Sequence, residues 1–165
     1  LKRTIQAIKN NTKLDLDESL IEEIDINIGI ACIIPETYLD DVHERLILYK
    51  RIASAEDDSA LKDLKIEMID RFGLLPDATN NLFASTSLRI FAKKIGIEKI
   101  HITDDKAEIT LNQKSTIEAK KIINLIQKQP QKYQLKNQNT LVFNVSMDED
   151  GSRIERVKNL INQLN

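Results

Sequence analysis

Cysteine is nearly missing from this 165-residue chain, and the single Cys32 rules out an internal disulfide and suits a reducing cytoplasm. Glycine is scarce as well. The four glycines, Gly29, Gly73, Gly96 and Gly151, are too far apart to build a GxxxxGK[ST] or GxGxxG loop. No turn therefore offers consecutive backbone amides to a phosphate. The two histidines, His43 and His101, are widely separated, with no CxxC, HxxxH or HExxH near them, and a zinc site needs about four ligands. No apolar run approaches the roughly 18 residues of a membrane span, and no signal-peptide pattern opens the chain. It begins Leu-Lys-Arg without a Met, so we expect a piece of a longer protein.

What is present is enough for a core. Hydrophobic residues make up 41% and charged residues 30%, which excludes a disordered or membranous chain. The 24 basic and 26 acidic side chains nearly cancel, and the pI near 5.8 is not that of a dedicated nucleic-acid binder. Cys32 lies between Ala31 and Ile33 and reads as buried and inert. His43 reads as a solvated helix residue and His101 as the outward face of a strand. No catalytic, cofactor-binding or metal-binding residue is assigned.

Periodicity supplies the elements. Residues 1–10 place Leu1, Ile5 and Ile8 at helical spacing, and residues 15–25 then carry six acids and no Lys or Arg. Ile24, Ile26, Ile28 and Ile30 alternate with Asp25, Asn27 and Gly29, predicting a strand of about ten residues that stops before Pro35. Leu39, Val42, Leu46, Tyr49 and Ala53 predict the inward stripe of a helix over about 38–54. Asp57 or Asp58 caps a second helix with Leu61, Leu64, Met68 and Phe72 inward, ended by Gly73 in the left-handed conformation. A third helix spans about 77–95, with Ala84, Leu88, Phe91 and Ile95 inward, closed by Gly96. Ile97–Ile102 and Ala107–Leu111 form a hairpin, and Ser115 with Glu118 reads as a capping box opening a helix that ends before Pro130. Two more strands, Tyr133–Leu135 and Thr140–Val145, precede a last helix carrying Ile154, Val157, Ile161 and Leu164. The order β-ααα-ββ-α-ββ-α implies an α+β fold with a mixed or antiparallel sheet packed with helices.

Charge is unevenly placed. Residues 36–77 hold eleven acids against six bases, whereas residues 112–137 hold six lysines against Glu118 alone. The lysine-rich segment is the basis of an alternative function as a nucleic-acid-binding accessory domain. It has only Tyr133 for stacking and no arginine, so a solvated face is favoured there. On the second helix Asp63, Glu67 and Asp70 stand at i, i+4 and i+7, so their carboxylates share one side. Such a row reads as a solvated face or as a docking face for arginines. A hydrolase reading is last, because paired acids on an open helix face have no cleft to perturb them.

Two stretches carry a resemblance: Tyr49-Lys50-Arg51-Ile52-Ala53-Ser54-Ala55 and Glu67-Met68-Ile69-Asp70-Arg71-Phe72-Gly73-Leu74-Leu75-Pro76. With Pro35–Val42 before them and Leu125–Gln131 after, they resemble the C-terminal domain of bacterial transcription-repair coupling factor, an ATP-dependent DNA translocase. The resemblance implies that residues 1–13 are the tail of the preceding translocase region and residues 14–165 the C-terminal regulatory domain. It implies that this fragment is not an enzyme and holds no cofactor, with ATP, Mg and most DNA contacts belonging to upstream domains. The implied partner is the N-terminal repair-recruitment module of the same protein, masked until stalled RNA polymerase is engaged. Indirect partners are the excision-repair damage-sensing ATPase and RNA polymerase, in a cytoplasmic setting with no membrane. By motif position the latch residues are Glu67 and Asp70, with Asp63 beside them. They are expected to face arginines of the partner rather than to form a structural pair. Lys50 and Arg51 stay open between internal ion pairs and partner contacts.

Overall fold

The computed structural model describes residues 24–144 and 150–165, with side chains of the last helix from Arg153 onward. The expected N-terminal helix, the acidic residues 15–23 and the boundary at 13/14 lie outside the described residues. Strand β1 (Asp25–Asn27) is followed by three helices, α1 (Val42–Ala53), α2 (Asp58–Phe72) and α3 (Asp77–Ile95). The hairpin β2 (Ile97–Ile102) and β3 (Lys106–Leu111) comes next, then α4 (Ala119–Lys128). Strands β4 (Tyr133–Lys136) and β5 (Thr140–Asn144) precede the final helix α5 (Asp150–Leu164). The five strands form one mixed sheet in the order β1-β2-β3-β5-β4, with β1 parallel to β2 and every other pair antiparallel. The α+β order expected from the sequence is the observed one.

Two apolar clusters hold the chain together. In the larger, Ile97, Ile100, Ile102, Ile109 and Leu141 of the sheet pack with Leu88, Ala92 and Ile95 of α3 and with Val157 and Ile161 of α5. A register shift between Ile97 and Lys99 in the β2–β3 pairing lets Ile97 and Ile100 both turn inward, although strict alternation would separate them. In the smaller cluster Ile34, Leu39, Leu48 and Ile52 meet Leu61, Leu64 and Met68 of α2 and Phe83 of α3.

Strand β1 is much shorter than its alternation implied. The Asn27 side chain accepts a hydrogen bond from the Gly29 N–H at 2.9 Å, which turns the chain out of the ladder. Gly29 then takes φ +73°, and an added Cβ would lie 2.5 Å from the Ile102 carbonyl oxygen. The Ile28 carbonyl instead accepts from Arg153 Nη1 at 2.9 Å. Beyond it the chain lies against the start of α3, where the Thr79 hydroxyl donates to the Ile33 carbonyl at 2.9 Å.

Helix α1 corrects the expected stripe. Leu48 and Ile52 are its buried residues, whereas Val42 and Leu46 are 59% and 58% exposed. Leu39 is buried, but it sits in a turn closed by its N–H donating to the Pro35 carbonyl, ahead of the N-cap Asp41. That break resets the helical phase, so spacing extrapolated from Leu39 points to the wrong face. Tyr49 and Phe72 are half-buried rather than core. The Tyr49 hydroxyl accepts from the Ile34 N–H at 2.7 Å.

Helix α2 matches its expected stripe at Leu61, Leu64 and Met68, and the Asp57 carboxylate caps it by accepting from the Ala60 N–H at 2.8 Å. Gly73 ends it with φ +96° and ψ −175°, positive as expected but outside the left-handed helical region. The expected capping box at α4 does not form. Ser115 Oγ accepts from the Ile117 N–H, the Thr116 N–H donates back to the Ile95 carbonyl, and the helix begins only after Glu118.

Leu48→Ala should therefore cost about 2–5 kcal/mol, while Leu46→Ala should stay within about 0.5 kcal/mol. Urea unfolding midpoints give the order, and a larger loss for Leu46→Ala would restore the stripe through Val42. At Gly73 nothing lies within 4 Å of an added Cβ. Gly73→Val should then lose about 1–3 kcal/mol through backbone strain alone.

The acidic face of helix α2, a candidate interface

Asp63, Glu67 and Asp70 do share one side of α2, opposite Leu64 and Met68, but their surroundings differ. Glu67 is half-buried against α1 and bound by two arginines. Arg51 Nη1 and Nη2 donate to Glu67 Oε2 and Oε1, both at 2.7 Å, a bidentate fork between the two helices. Arg71 Nη1 donates to Glu67 Oε2 at 3.3 Å, while its Nη2 donates to Glu44 Oε1 at 2.8 Å. The Arg71 guanidinium also lies over the Phe72 ring, 4.6 Å from its centroid. Phe72 in turn meets Tyr38 edge-to-face at 6.1 Å, and the Tyr38 hydroxyl donates to the Gly73 carbonyl at 2.8 Å.

The result is a zipper, Glu44–Arg71–Glu67–Arg51, crossing from α1 to α2 and back. Its hydrogen bonds from Arg51, helped by the charge of Arg51 and the contact with Arg71, hold the Glu67 carboxyl down to about 2 from its ordinary 4.5. The same bond raises the Arg51 guanidinium. Glu67 thus has an internal partner in Arg51, a pairing that its expected role toward a partner did not include. Arg51, left open by the sequence, belongs to that internal pair. Glu44 was missed. The signal was available in the spacing: Glu44 and Arg51 stand at i and i+7 on α1, facing Arg71 and Glu67 at i+4 and i on α2.

Asp63 and Asp70 flank this zipper and are exposed, and neither has an ion pair or side-chain hydrogen bond among the described residues. Ile66 lies between them along the helix and is 49% exposed, and Ile47 of α1 is 40% exposed. The face therefore offers two uncommitted carboxylates, a ridge of saturated ion pairs and some apolar surface.

Elsewhere the charged residues are spent or spread. Lys136 and Lys106 both pair with Glu108, at 3.2 and 3.5 Å. Burial alone would raise the Glu108 carboxyl, but these two lysines bring it below its ordinary value. Lys121 Nζ donates to the Asn165 carbonyl at 3.1 Å, while Lys120, Lys128 and Lys132 are exposed. His101 Nε2 lies 2.8 Å from Asp25 Oδ2, tying β2 to β1. Cys32 is half-buried and its thiol is pushed up by burial, away from reactivity. Among the described residues no group of three or more His, Cys, Asp or Glu is arranged to hold a metal ion. No described helix is long and apolar enough to cross a membrane.

Residues 28–122 match the TRCF domain family, and these bounds enclose α1, α2 with the zipper, α3, β2, β3 and the first turn of α4. The chain belongs to the TRCF domain family. The transcription-repair-coupling factor of Haemophilus influenzae is 35% identical over 161 residues, covering 98% of this chain. The Escherichia coli protein of the same name is 34% identical over 164 residues, covering 99%. In both cases the chain spans only about 14% of the relative's length. A crystal structure of a C-terminal domain of transcription-repair coupling factor superposes with a TM-score of 0.70 at 21% identity, covering 86% of this chain and 94% of that one. At that identity the likeness shows a shared fold, which for this TRCF domain is the mixed sheet and packed helices described above.

The zipper makes a pH prediction. A carboxyl held at about 2 in the fold and near 4.5 when unfolded contributes stability fully present above 4.5. That contribution is lost as the pH falls toward 2. Urea midpoints of the wild type and Glu67→Gln should differ at pH 6 and converge by about pH 2. A gap that persists unchanged to pH 2 would mean that the Arg51 fork does not contribute through charge.

Proposed function

We propose that this TRCF domain is the regulatory, autoinhibitory C-terminal domain of a transcription-repair coupling factor. In this reading it covers the protein's own N-terminal repair-recruitment module until stalled RNA polymerase is engaged, within transcription-coupled nucleotide excision repair. The chain itself performs no chemistry. ATP, Mg and the main DNA contacts belong to the translocase regions upstream. The supporting observation is the α2 face, where Asp63 and Asp70 project uncommitted on either side of the Arg51–Glu67 fork.

The physical division of labour is specific. Arginines of the recruitment module meet Asp70 and Asp63 directly, because carboxylates take planar guanidinium groups in bidentate geometry. Glu67 already receives both Arg51 nitrogens, so it acts by keeping α2 docked on α1 and by adding negative field. A partner arginine reaching Glu67 would have to share it with Arg51 and Arg71. Release then costs little, since the internal zipper remains satisfied when the domains part. A contact of this kind is broken by competition rather than by unfolding.

The test separates folding from latching. Asp63→Lys with Asp70→Lys should leave the unfolding midpoint of the 165-residue chain within about 0.5 kcal/mol of the wild type, because exposed unpaired charges contribute little. Glu67→Lys should lower it, because a lysine would face Arg51 and Arg71. In the intact protein, Asp63→Lys with Asp70→Lys should expose the binding site for the damage-sensing ATPase without RNA polymerase. Unchanged recruitment with the fold preserved would remove these carboxylates from the latch. Tight duplex binding by the chain that weakens when Lys120 and Lys121 become Gln would favour the nucleic-acid alternative.

A further inference from the structure

The lysine-rich segment of the sequence falls on helix α4 and strand β4, at the opposite edge of the sheet from β1. Helix α4 packs on β4, and Ile122 and Tyr133 join the larger core there. The cover is incomplete. Ile123 is 52% exposed and Leu135 is 48% exposed, and neither belongs to a core cluster. Tyr133 and Leu135 pair with Phe143 and Leu141, so Leu135 stands on the sheet face that α4 covers. The chain reverses between Lys128 and Tyr133, which brings the start of α4 beside the turn after β4. An open pocket of about 430 Å³ lies where they meet, with Ile117 and Ile122 on one side and Gln138 and Asn139 on the other.

The charges around this apolar strip are mostly of one sign. Lys114, Lys120, Lys128 and Lys132 are exposed, and none makes an ion pair among the described residues. Against them stand Glu118 and, on the pocket wall, Glu98. Lys114 sits between the lining residues Gln113 and Ser115, and Lys120 follows the lining residue Ala119. Glu118 makes no side-chain cap hydrogen bond to α4, so the first-turn amides add positive field at the pocket. This combination selects among anions. Nucleic acid is best held by stacking and bidentate donors, yet Tyr133 is buried against Phe143 at 5.2 Å and residues 112–137 hold no arginine. Exposed aliphatic side chains beside a pocket instead match the aliphatic anchors of a protein.

We propose that the α4–β4 face is a docking surface for an acidic amphipathic segment of a partner protein. One large aliphatic side chain of the partner fills the pocket over Ile117 and Ile122, and a second lies across Ile123 and Leu135. Its carboxylates meet Lys114 and Lys120 at the pocket mouth and Lys128 and Lys132 at the other end of the strip. The apolar anchors supply the affinity, while the lysines set the sign of the partner and make the contact sensitive to salt. This face shares no residue with the α2 face, so the two are engaged independently.

Selection of a displayed library of random dodecapeptides on the immobilised 165-residue chain tests this, with the binders then measured by fluorescence polarisation. Enriched peptides should combine Asp or Glu with large aliphatic residues and should bind more weakly as salt rises. Lys114→Glu with Lys120→Glu should weaken them about tenfold or more, and so should Ile123→Ser with Leu135→Ser, with unfolding midpoints close to that of the wild type. Asp63→Lys with Asp70→Lys should leave their binding unchanged. Absence of acidic aliphatic binders, or binders indifferent to both pairs of substitutions on this face, would overturn the proposal. Tighter binding of duplex DNA or of phosphatidylserine vesicles than of any selected peptide, lost in Lys114→Glu with Lys120→Glu, would overturn it in favour of nucleic acid or membrane.

Discussion

Helix α3 must satisfy two cores at once, and the rest of the domain is arranged around that constraint. Its Leu88, Ala92 and Ile95 are buried against the sheet and α5, while Phe83 is turned into the cluster under α1 and α2. A helix apolar on two sides cannot be solvated on either without stranding buried area worth about 1.5–3 kcal/mol per large side chain. The sheet therefore covers one side and the α1–α2 pair the other. Everything polar about the domain follows from what those two layers leave outside.

The helical pair is the thinner layer, and polar contacts finish what its core begins. Leu48, Ile52, Leu61, Leu64 and Met68 bury the seam between α1 and α2, and the Glu44–Arg71–Glu67–Arg51 zipper closes its rim. Exposed ion pairs are individually weak, but bidentate geometry and a shared arginine make this set directional. It aligns the two helices while Asp63 and Asp70 make no ion pair among the described residues. In this account the same charges that hold the rim also define which acids remain for a partner.

Much of this was legible from side-chain spacing, and the failures have identifiable causes. The α2 stripe, the hairpin at Asp104-Asp105-Lys106 and the inward face of α5 follow from local periodicity that tertiary structure respects. The α1 phase does not, because Leu39 reaches the core from a turn and lends its spacing to a helix it does not belong to. The long strand at Ile24–Ile30 is cut by an Asx turn at Asn27 and by a buried arginine 125 residues later in the chain. The acids of α2 were found from their spacing, but the different fate of Glu67 depends on Arg51, sixteen residues away on another helix. No local pattern carries that pairing, although complementary spacings on the two helices do.

The most direct measurement is a calorimetric titration of the 165-residue chain with the separately produced N-terminal recruitment module, repeated across salt concentrations. The account predicts saturable binding that weakens as salt rises. It also predicts that Asp63→Lys with Asp70→Lys abolishes the binding while leaving the unfolding midpoint in place. Absence of binding, or binding indifferent both to salt and to these two carboxylates, would contradict it.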